Sequence, residues 1–343
     1  MKNLSLLFIG LFMIPMFLLT SCDRGDDPTP PTADTDKYTI LKDYMVANSY
    51  DLDHVIGGSG KMSPSFVIDA SAVFGKLSDY YIMDTRSATD FAAGKLTGAN
   101  NVAFKDILTE GVKAGTKPIL VVCYSGNTAT YATALLRLYG FRSAVALKWG
   151  MSGWNSTYAN HPTSGWNNRI GNNAATSSNW NPAQTPAPAV ATYDAPKLMN
   201  QPLTTGDAIL KARVEAVVAA GFKTVDPNAL LVDPTTHFIV NYFSSGDFLG
   251  YGHIKGSHRI QPFNLAGTYS ADAFKNTNLD ASKKIAVYCY TGQTSGVIAA
   301  WLNVLGYDSY SGVQGMNRLW NTNPGWGSSG NKWTTAHPKE YAN

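Results

Sequence analysis

The strongest constraint on this chain is a pattern it contains twice. A strand-like run, PILVV at 118–122, ends in Cys123, and a second, IAVY at 285–288, ends in Cys289. YSGNTA (124–129) follows the first cysteine and YTGQTS (290–295) the second. Each is succeeded by a helical stretch that closes on a glycine, Gly140 or Gly306, at the same distance from its cysteine. A glycine suits the left-handed position just past a helix end. Further on, Gly150, Met151 and Trp154 match Gly315, Met316 and Trp320, and upstream Asp69 stands as far before Asp84 as Asp226 does before Asn241. Asp69 and Asp226 read as helix N-caps, the second with Pro227 at the first helical position.

Two homologous copies are therefore expected, each alternating short β-branched runs with helical patterns. That alternation predicts an α/β class with a largely parallel sheet in each copy. Cys123 and Cys289 hold equivalent positions, and equivalent sites in two domains lie much further apart than the roughly 5.5 Å between α-carbons that a disulfide needs. Both thiols are expected to be free. The net charge of +3 is too small and too scattered to argue for nucleic acid. His253 and His258 have neither zinc-knuckle nor helical-pair spacing, so no metal is expected. The tryptophans, Trp149, Trp154, Trp166, Trp180, Trp301, Trp320, Trp326 and Trp333, are expected to fill core and interface.

The N-terminus sets the compartment. Lys2 precedes an apolar run from Leu4 to Leu19, interrupted by Pro15, and the run stops at Thr20, Ser21 and Cys22. This is the layout of a secretory signal. Residues 19–22 resemble a bacterial lipobox, whose cysteine is lipidated. The division expected is a lipoprotein signal peptide at 1–22, a disordered tether at 23–37 that holds no large apolar side chain, a first domain at 38–165, an Asn/Ala/Thr/Pro-rich linker at 166–200 and a second domain at 201–343. The protein is expected to be exported and lipid-anchored to a membrane of the bacterial cell envelope.

A cysteine at the end of a buried strand, followed by a six-residue loop and then a helix, meets inward-pointing N–H groups and the positive end of the helix. Such a site favours an anion, and the thiol pKa is expected to be lowered. Gly126 and Gly292 permit the backbone angles of a tight cradle.

These residues resemble the rhodanese, or sulfurtransferase, family. CYSGNTA at 123–129 and CYTGQTS at 289–295 are similar to its active loop. AspThrArg at 84–86, FAAGKLTGAN at 91–100, the TrpGly pair at 149–150 and GHIKGS at 252–257 resemble further landmarks. The resemblance implies a tandem pair of doubly wound domains, each with a mainly parallel sheet flanked by helices. It implies that Cys123 and Cys289 are catalytic, and that Tyr124, Ser125, Gly126, Asn127 and Thr128, with Tyr290, Thr291, Gly292, Gln293 and Thr294, surround the substrate. Asp84 and Arg86 are implied as structural. No cofactor is implied. A sulfane sulfur would pass from a donor such as thiosulfate or 3-mercaptopyruvate, through a cysteine persulfide, to a thiol or cyanide acceptor. The alternative is a non-catalytic module that carries sulfur or binds a partner.

The pattern is departed from at Asn241 and Phe243, which replace the Asp and Arg of the first copy, and at Lys95, where the family has histidine. The second copy is accordingly expected to be less rigidly built. Neutral loop residues look more like the mercaptopyruvate-using branch, unless an Arg or Lys from elsewhere supplies charge. Related cysteine phosphatases need an arginine where this chain has Ala129 and Ser295, which argues against that chemistry.

Overall fold

Ile119–Val122 is buried throughout, and Lys284–Tyr288 is buried from Ile285 onward. Runs without polar alternation belong at the centre of a parallel sheet covered on both faces. The computed structural model describes residues 36–58, 61, 64–198, 203–267, 273–327 and 329–342. The expected signal peptide, Cys22 and most of the tether lie outside the described residues.

The first sheet contains β1 (Val67–Ile68), β2 (Tyr81–Asp84), β3 (Asn100–Asn101), β4 (Ile119–Val122) and β5 (Val145–Leu147), in the order β1-β5-β4-β2-β3, every pairing parallel. A short strand β6 (Trp180–Asn181) follows. The second repeat supplies β7 (Thr224–Val225), β8 (Phe238–Asn241), β9 (His253–Ile254), β10 (His258–Arg259), β11 (Lys284–Tyr288) and β12 (Asp308–Gly312). Its sheet runs β10-β8-β11-β12-β7, again wholly parallel, which is the order of the first sheet read from the other edge. The expected repetition is thus a repetition of topology.

Alternate residues of the central strands face different cores. Ile119 and Val121 of β4 join Ile285 and Val287 of β11 in one cluster that also takes in Ala129, Ala132, Leu135 and Leu136 from the first repeat and Val297, Ile298 and Trp301 from the second. Leu120 and Val122 face a cluster built mainly by the first repeat, with Tyr341 packed against it, and Ala286 and Tyr288 one built mainly by the second, with Ala174 and Trp180 of the connecting segment. The largest core is therefore common to both repeats. Between the sheets, the helix Asn127–Tyr139 lies against the helix Gln293–Val304. A methyl group placed on Gly296 would come 2.7 Å from Thr130 Oγ1 and 3.2 Å from the Asn127 carbonyl oxygen, so glycine lets these helices approach. Asp51 ties the repeats at another point: its buried carboxylate accepts from the N–H groups of Leu265 and Ala266.

Three sequence expectations change here. The helix Lys37–Ala47 starts inside the expected tether, with Asp36 accepting from the Tyr38 N–H as its cap. The stretch 166–198, expected to be a bare connection, is partly built into the body. Trp166 is fully buried, β6 pairs antiparallel with β9, and Gly171 N–H donates to Asn317 O. Asp69 occupies an N-cap position but its carboxylate does not cap the helix and lies instead 3.5 Å from Lys148 Nζ, whereas Asp226 does accept from Asn228 N–H. The tryptophans behave as filler: Trp149, Trp154, Trp166, Trp180, Trp301, Trp326 and Trp333 are buried.

Because the helix approach depends on a missing side chain, Gly296→Leu is expected to destabilise the protein by about 2 kcal/mol or more through overpacking. Urea denaturation followed by tryptophan fluorescence checks it.

Candidate active site

Each cysteine is the first residue after its central strand, and both are free. The cradle is tighter than the expected six-residue loop. Gly126 (φ 85°) and Gly292 (φ 76°) adopt the left-handed conformation, and the helices start at Asn127 and Gln293. One left-handed glycine reverses the chain so abruptly that residues 127–129 and 293–295 already form the first helical turn. The N–H groups of a first turn have no partner within the helix. Here they find sulfur: Cys123 Sγ accepts from Gly126 N–H at 3.1 Å and Ala129 N–H at 3.4 Å, and Cys289 Sγ from Ser295 N–H at 3.3 Å.

A second segment holds each loop from behind. Met151 N–H donates to Cys123 O at 2.8 Å and Ser152 N–H to Tyr124 O at 3.0 Å, while Met316 and Asn317 do the same for Cys289 and Tyr290 at 2.9 and 3.3 Å. Any side chain at Gly150 or Gly315 would overlap the carbonyl oxygen of Cys123 or Cys289, which explains the matched glycines in the sequence.

The loop tyrosines are braced by different chemistry in the two repeats. Arg86 is locked to Asp84 (Nη2 to Oδ2, 2.6 Å), donates to Gly94 O, and lays its guanidinium over the Tyr124 ring at 5.1 Å. In the second repeat Phe243 takes that place and stacks on Tyr290 with ring centroids 4.4 Å apart. The turn before it is kept: Asn241 Oδ1 accepts from Phe243 N–H at 2.9 Å, as Asp84 Oδ1 accepts from Arg86 N–H at 3.0 Å. Tyr124 donates to Asp90 and Tyr290 to Asp247. The expected loss of rigidity at Asn241 and Phe243 is therefore offset by an aromatic stack.

Cys123 opens on a cleft of about 330 Å³. Tyr124, Ser125, Asn127 and Thr128 line it, together with Arg86, which the resemblance implies only as structural, and Arg169 and Gln314, which no sequence motif points to. Arg169 comes from the segment between the repeats and Gln314 from the second repeat, too far along the chain for any local motif to place them. The loop is neutral, but the cleft carries guanidinium. Several of the expected substrate contacts also have partners of their own: the Tyr124 and Tyr290 hydroxyls hold carboxylates, Thr291 Oγ1 accepts from Gln293 N–H, and Asn127 and Gln293 reach the opposite repeat. Thr294 is half-buried at the equivalent of Thr128.

The expected lowering of the thiol pKa does not hold at Cys123. Burial pushes this thiol up, the N–H groups of Ala129, Ser125 and Gly126 pull it down by less, and the Asp84 charge adds to the rise. The cause is the shared core, which takes in Cys123 and leaves the residue 5% exposed; Cys289 is 0% exposed.

The Rhodanese-like domain model matches residues 71–157. Thiosulfate sulfurtransferase GlpE of Pseudomonas fluorescens is 34% identical over 86 residues, covering 24% of this chain and 78% of that protein. GlpE of Pseudomonas putida GB-1 is 38% identical over 80 residues, covering 22% and 71%. The chain belongs to the rhodanese family. Among solved structures, the 3-mercaptopyruvate sulfotransferase SseA of Escherichia coli is similar at 14% identity and TM-score 0.27, covering 72% of this chain and 98% of that one.

With its pKa raised, Cys123 is mostly thiol at neutral pH, and its thiolate fraction grows as pH rises. Its alkylation rate by iodoacetamide is expected to climb steadily through pH 8 to roughly 9 and beyond. Peptide mass mapping across a pH series checks this; a plateau reached below neutral pH contradicts it.

Proposed function

We propose that this protein is a sulfurtransferase that carries a sulfane sulfur as a persulfide, with Cys123 as the principal site. The observation that carries the reading is a cysteine sulfur facing two backbone N–H donors on a cleft that also holds Arg86 and Arg169. The similarity to proteins named as thiosulfate sulfurtransferases supports it.

In the first half-reaction the Cys123 thiolate attacks the outer sulfur of a donor such as thiosulfate. A Cys–S bond to that sulfur forms, the donor's own S–S bond breaks, and sulfite leaves with the electron pair. The thiol proton passes to solvent, and the terminal persulfide sulfur bears the negative charge. In the second, a thiolate or cyanide attacks that terminal sulfur and restores the Cys123 thiolate. Fixed N–H donors stabilise sulfur-centred anions without reorganising. With 3-mercaptopyruvate as donor, the Arg169 guanidinium of the cleft offers a partner for its carboxylate, Arg86 being committed to Asp84. The neutral loop residues set no preference between the two donors once the arginines are counted.

Cys289 has an equivalent cradle but no measurable exposure. The resemblance implies that both cysteines are catalytic; Cys289 is the more buried of the two and is proposed as the slower one. Cys22 is proposed as a lipidation site that ties the protein to a membrane of the cell envelope, on the strength of the sequence pattern alone.

Exposure of the purified protein to thiosulfate and to mercaptopyruvate is expected to add one sulfur atom at Cys123, read by intact mass and peptide mapping. Cys289→Ser is expected to keep most of the transferase activity, Cys123→Ser to lose most, and the double variant to have none. Absence of sulfur gain with both donors overturns transfer and leaves the partner-binding module. Separately, Cys22→Ser is expected to move the protein from the membrane to the soluble fraction on cell lysis; retention in the membrane contradicts lipid anchoring through this residue.

A further inference from the structure

Asn127 and Gln293 occupy the same place in the two loops, four residues past their cysteines, and are only 2% and 3% exposed. Both reach across to the other repeat. Asn127 Oδ1 accepts from the backbone N–H of Gln314 and from its Nε2, each at 3.0 Å, while Asn127 Nδ2 donates to Thr291 O at 3.0 Å. Gln293 Oε1 accepts from Trp149 N–H at 3.2 Å. The orientation of the Asn127 amide is determined by this network, because a backbone N–H can only donate and a carbonyl oxygen can only accept.

Trp149 and Gln314 are equivalent to one another. Each stands immediately before the close-approach glycine of its repeat, and each has a positive φ, 64° and 57°, unusual for a residue with a side chain. The segments they begin are the ones that hold the cysteine loops, through Met151 and Ser152 in the first repeat and Met316 and Asn317 in the second. Two crossed chains of bonds result. Gln293 fixes Trp149, the 149–152 segment fixes the carbonyls of Cys123 and Tyr124, and that loop aims its N–H groups at Cys123 Sγ. Asn127 fixes Gln314, the 314–317 segment fixes Cys289 and Tyr290, and their loop leads to Ser295 N–H at Cys289 Sγ. The loops also touch directly: a methyl group on Gly126 would lie 2.8 Å from Gln293 Oε1, and one on Gly292 would lie 2.9 Å from Asn127 Nδ2.

We infer that Asn127 and Gln293 are positioning residues that act across the repeat interface, Gln293 on the donor ring of Cys123 and Asn127 on that of Cys289. The reactivity of each cysteine is thereby set from the other repeat. The inference rests on reading the cysteines as nucleophiles, but its test needs only thiol reactivity, so it stands or falls apart from sulfur transfer.

The experiment uses the purified full chain and follows iodoacetamide alkylation of Cys123 and Cys289 separately, by peptide mass, across pH. Gln293→Met removes the acceptor for Trp149 N–H and is expected to raise the alkylation midpoint of Cys123. Asn127→Leu is expected to slow the alkylation of Cys289. In each case the effect corresponds to about five-fold slower alkylation at a given pH, the effect of losing one ordinary hydrogen bond, and the cysteine on the substituted loop changes less. The crossed pattern is diagnostic, because general loosening of the interface affects both cysteines alike. Equal changes at both, no change at either, or a larger change on the substituted loop overturns the inference. If either variant does not fold by circular dichroism, Gln293→Asn and Asn127→Gln, which displace the amide by one methylene, replace it with the same crossed outcome expected.

Discussion

The contact between the helices Asn127–Tyr139 and Gln293–Val304 is what the rest of the structure depends on. Both helices start at a cysteine loop, both are buried nearly all round, and they meet where Gly296 leaves room for Thr130. Because the helices are central to one hydrophobic cluster, each repeat supplies part of the other's interior. The cleft at Cys123 is a product of the same contact, with one wall from the second repeat. So is the dryness of Cys123. A thiol in such a place is held back by burial and helped by backbone N–H groups, and at Cys123 burial prevails.

The two repeats also show one geometric requirement met by unlike means. A tyrosine after each cysteine has to be held flat, with its hydroxyl on an aspartate from the short helix capped by Ser87 or Ser244. In the first repeat a guanidinium with its own buried carboxylate does this, and in the second a phenyl ring does. A buried ion pair loses much of its attraction to desolvation, so a well-packed aromatic group in its place need not weaken the fold. Asn241 keeps the one bond that the turn requires, to the N–H two residues on.

What could be read in the sequence was what is local and repeated. The cysteine position, the left-handed glycines, the caps at Asp226 and past Gly140, and the alternation of strand and helix all lie within a few residues of their cause. The parallel topology followed from that alternation. The length of the cradle was overestimated because a single left-handed glycine shortens it, and sequence shows the glycine without its angle. The pKa of Cys123 was misjudged for a different reason: local N–H groups are visible in a motif, whereas the covering that dries the sulfur comes from the other repeat. Arg169, Gln314 and the bonds of Asn127 and Gln293 were illegible on the same ground. Asn127 and Thr291 are 164 residues apart, and neither residue type announces a partner.

The span of these contacts along the chain has a consequence for how the protein reaches its folded state. Asp51 finds its N–H partners at Leu265 and Ala266, more than two hundred residues later. Tyr341 returns to stack on Phe74 and to meet Trp154, whose indole N–H donates to Ala342 O across 188 residues. Contacts of such separation reward the chain only after a large loop has been closed, and they place a protein among the slow folders. The first repeat leaves the ribosome before the partners of its inner face exist. It is a half-structure waiting for its mate, so the order of synthesis and the order of consolidation differ, and the first-made half is settled by the last.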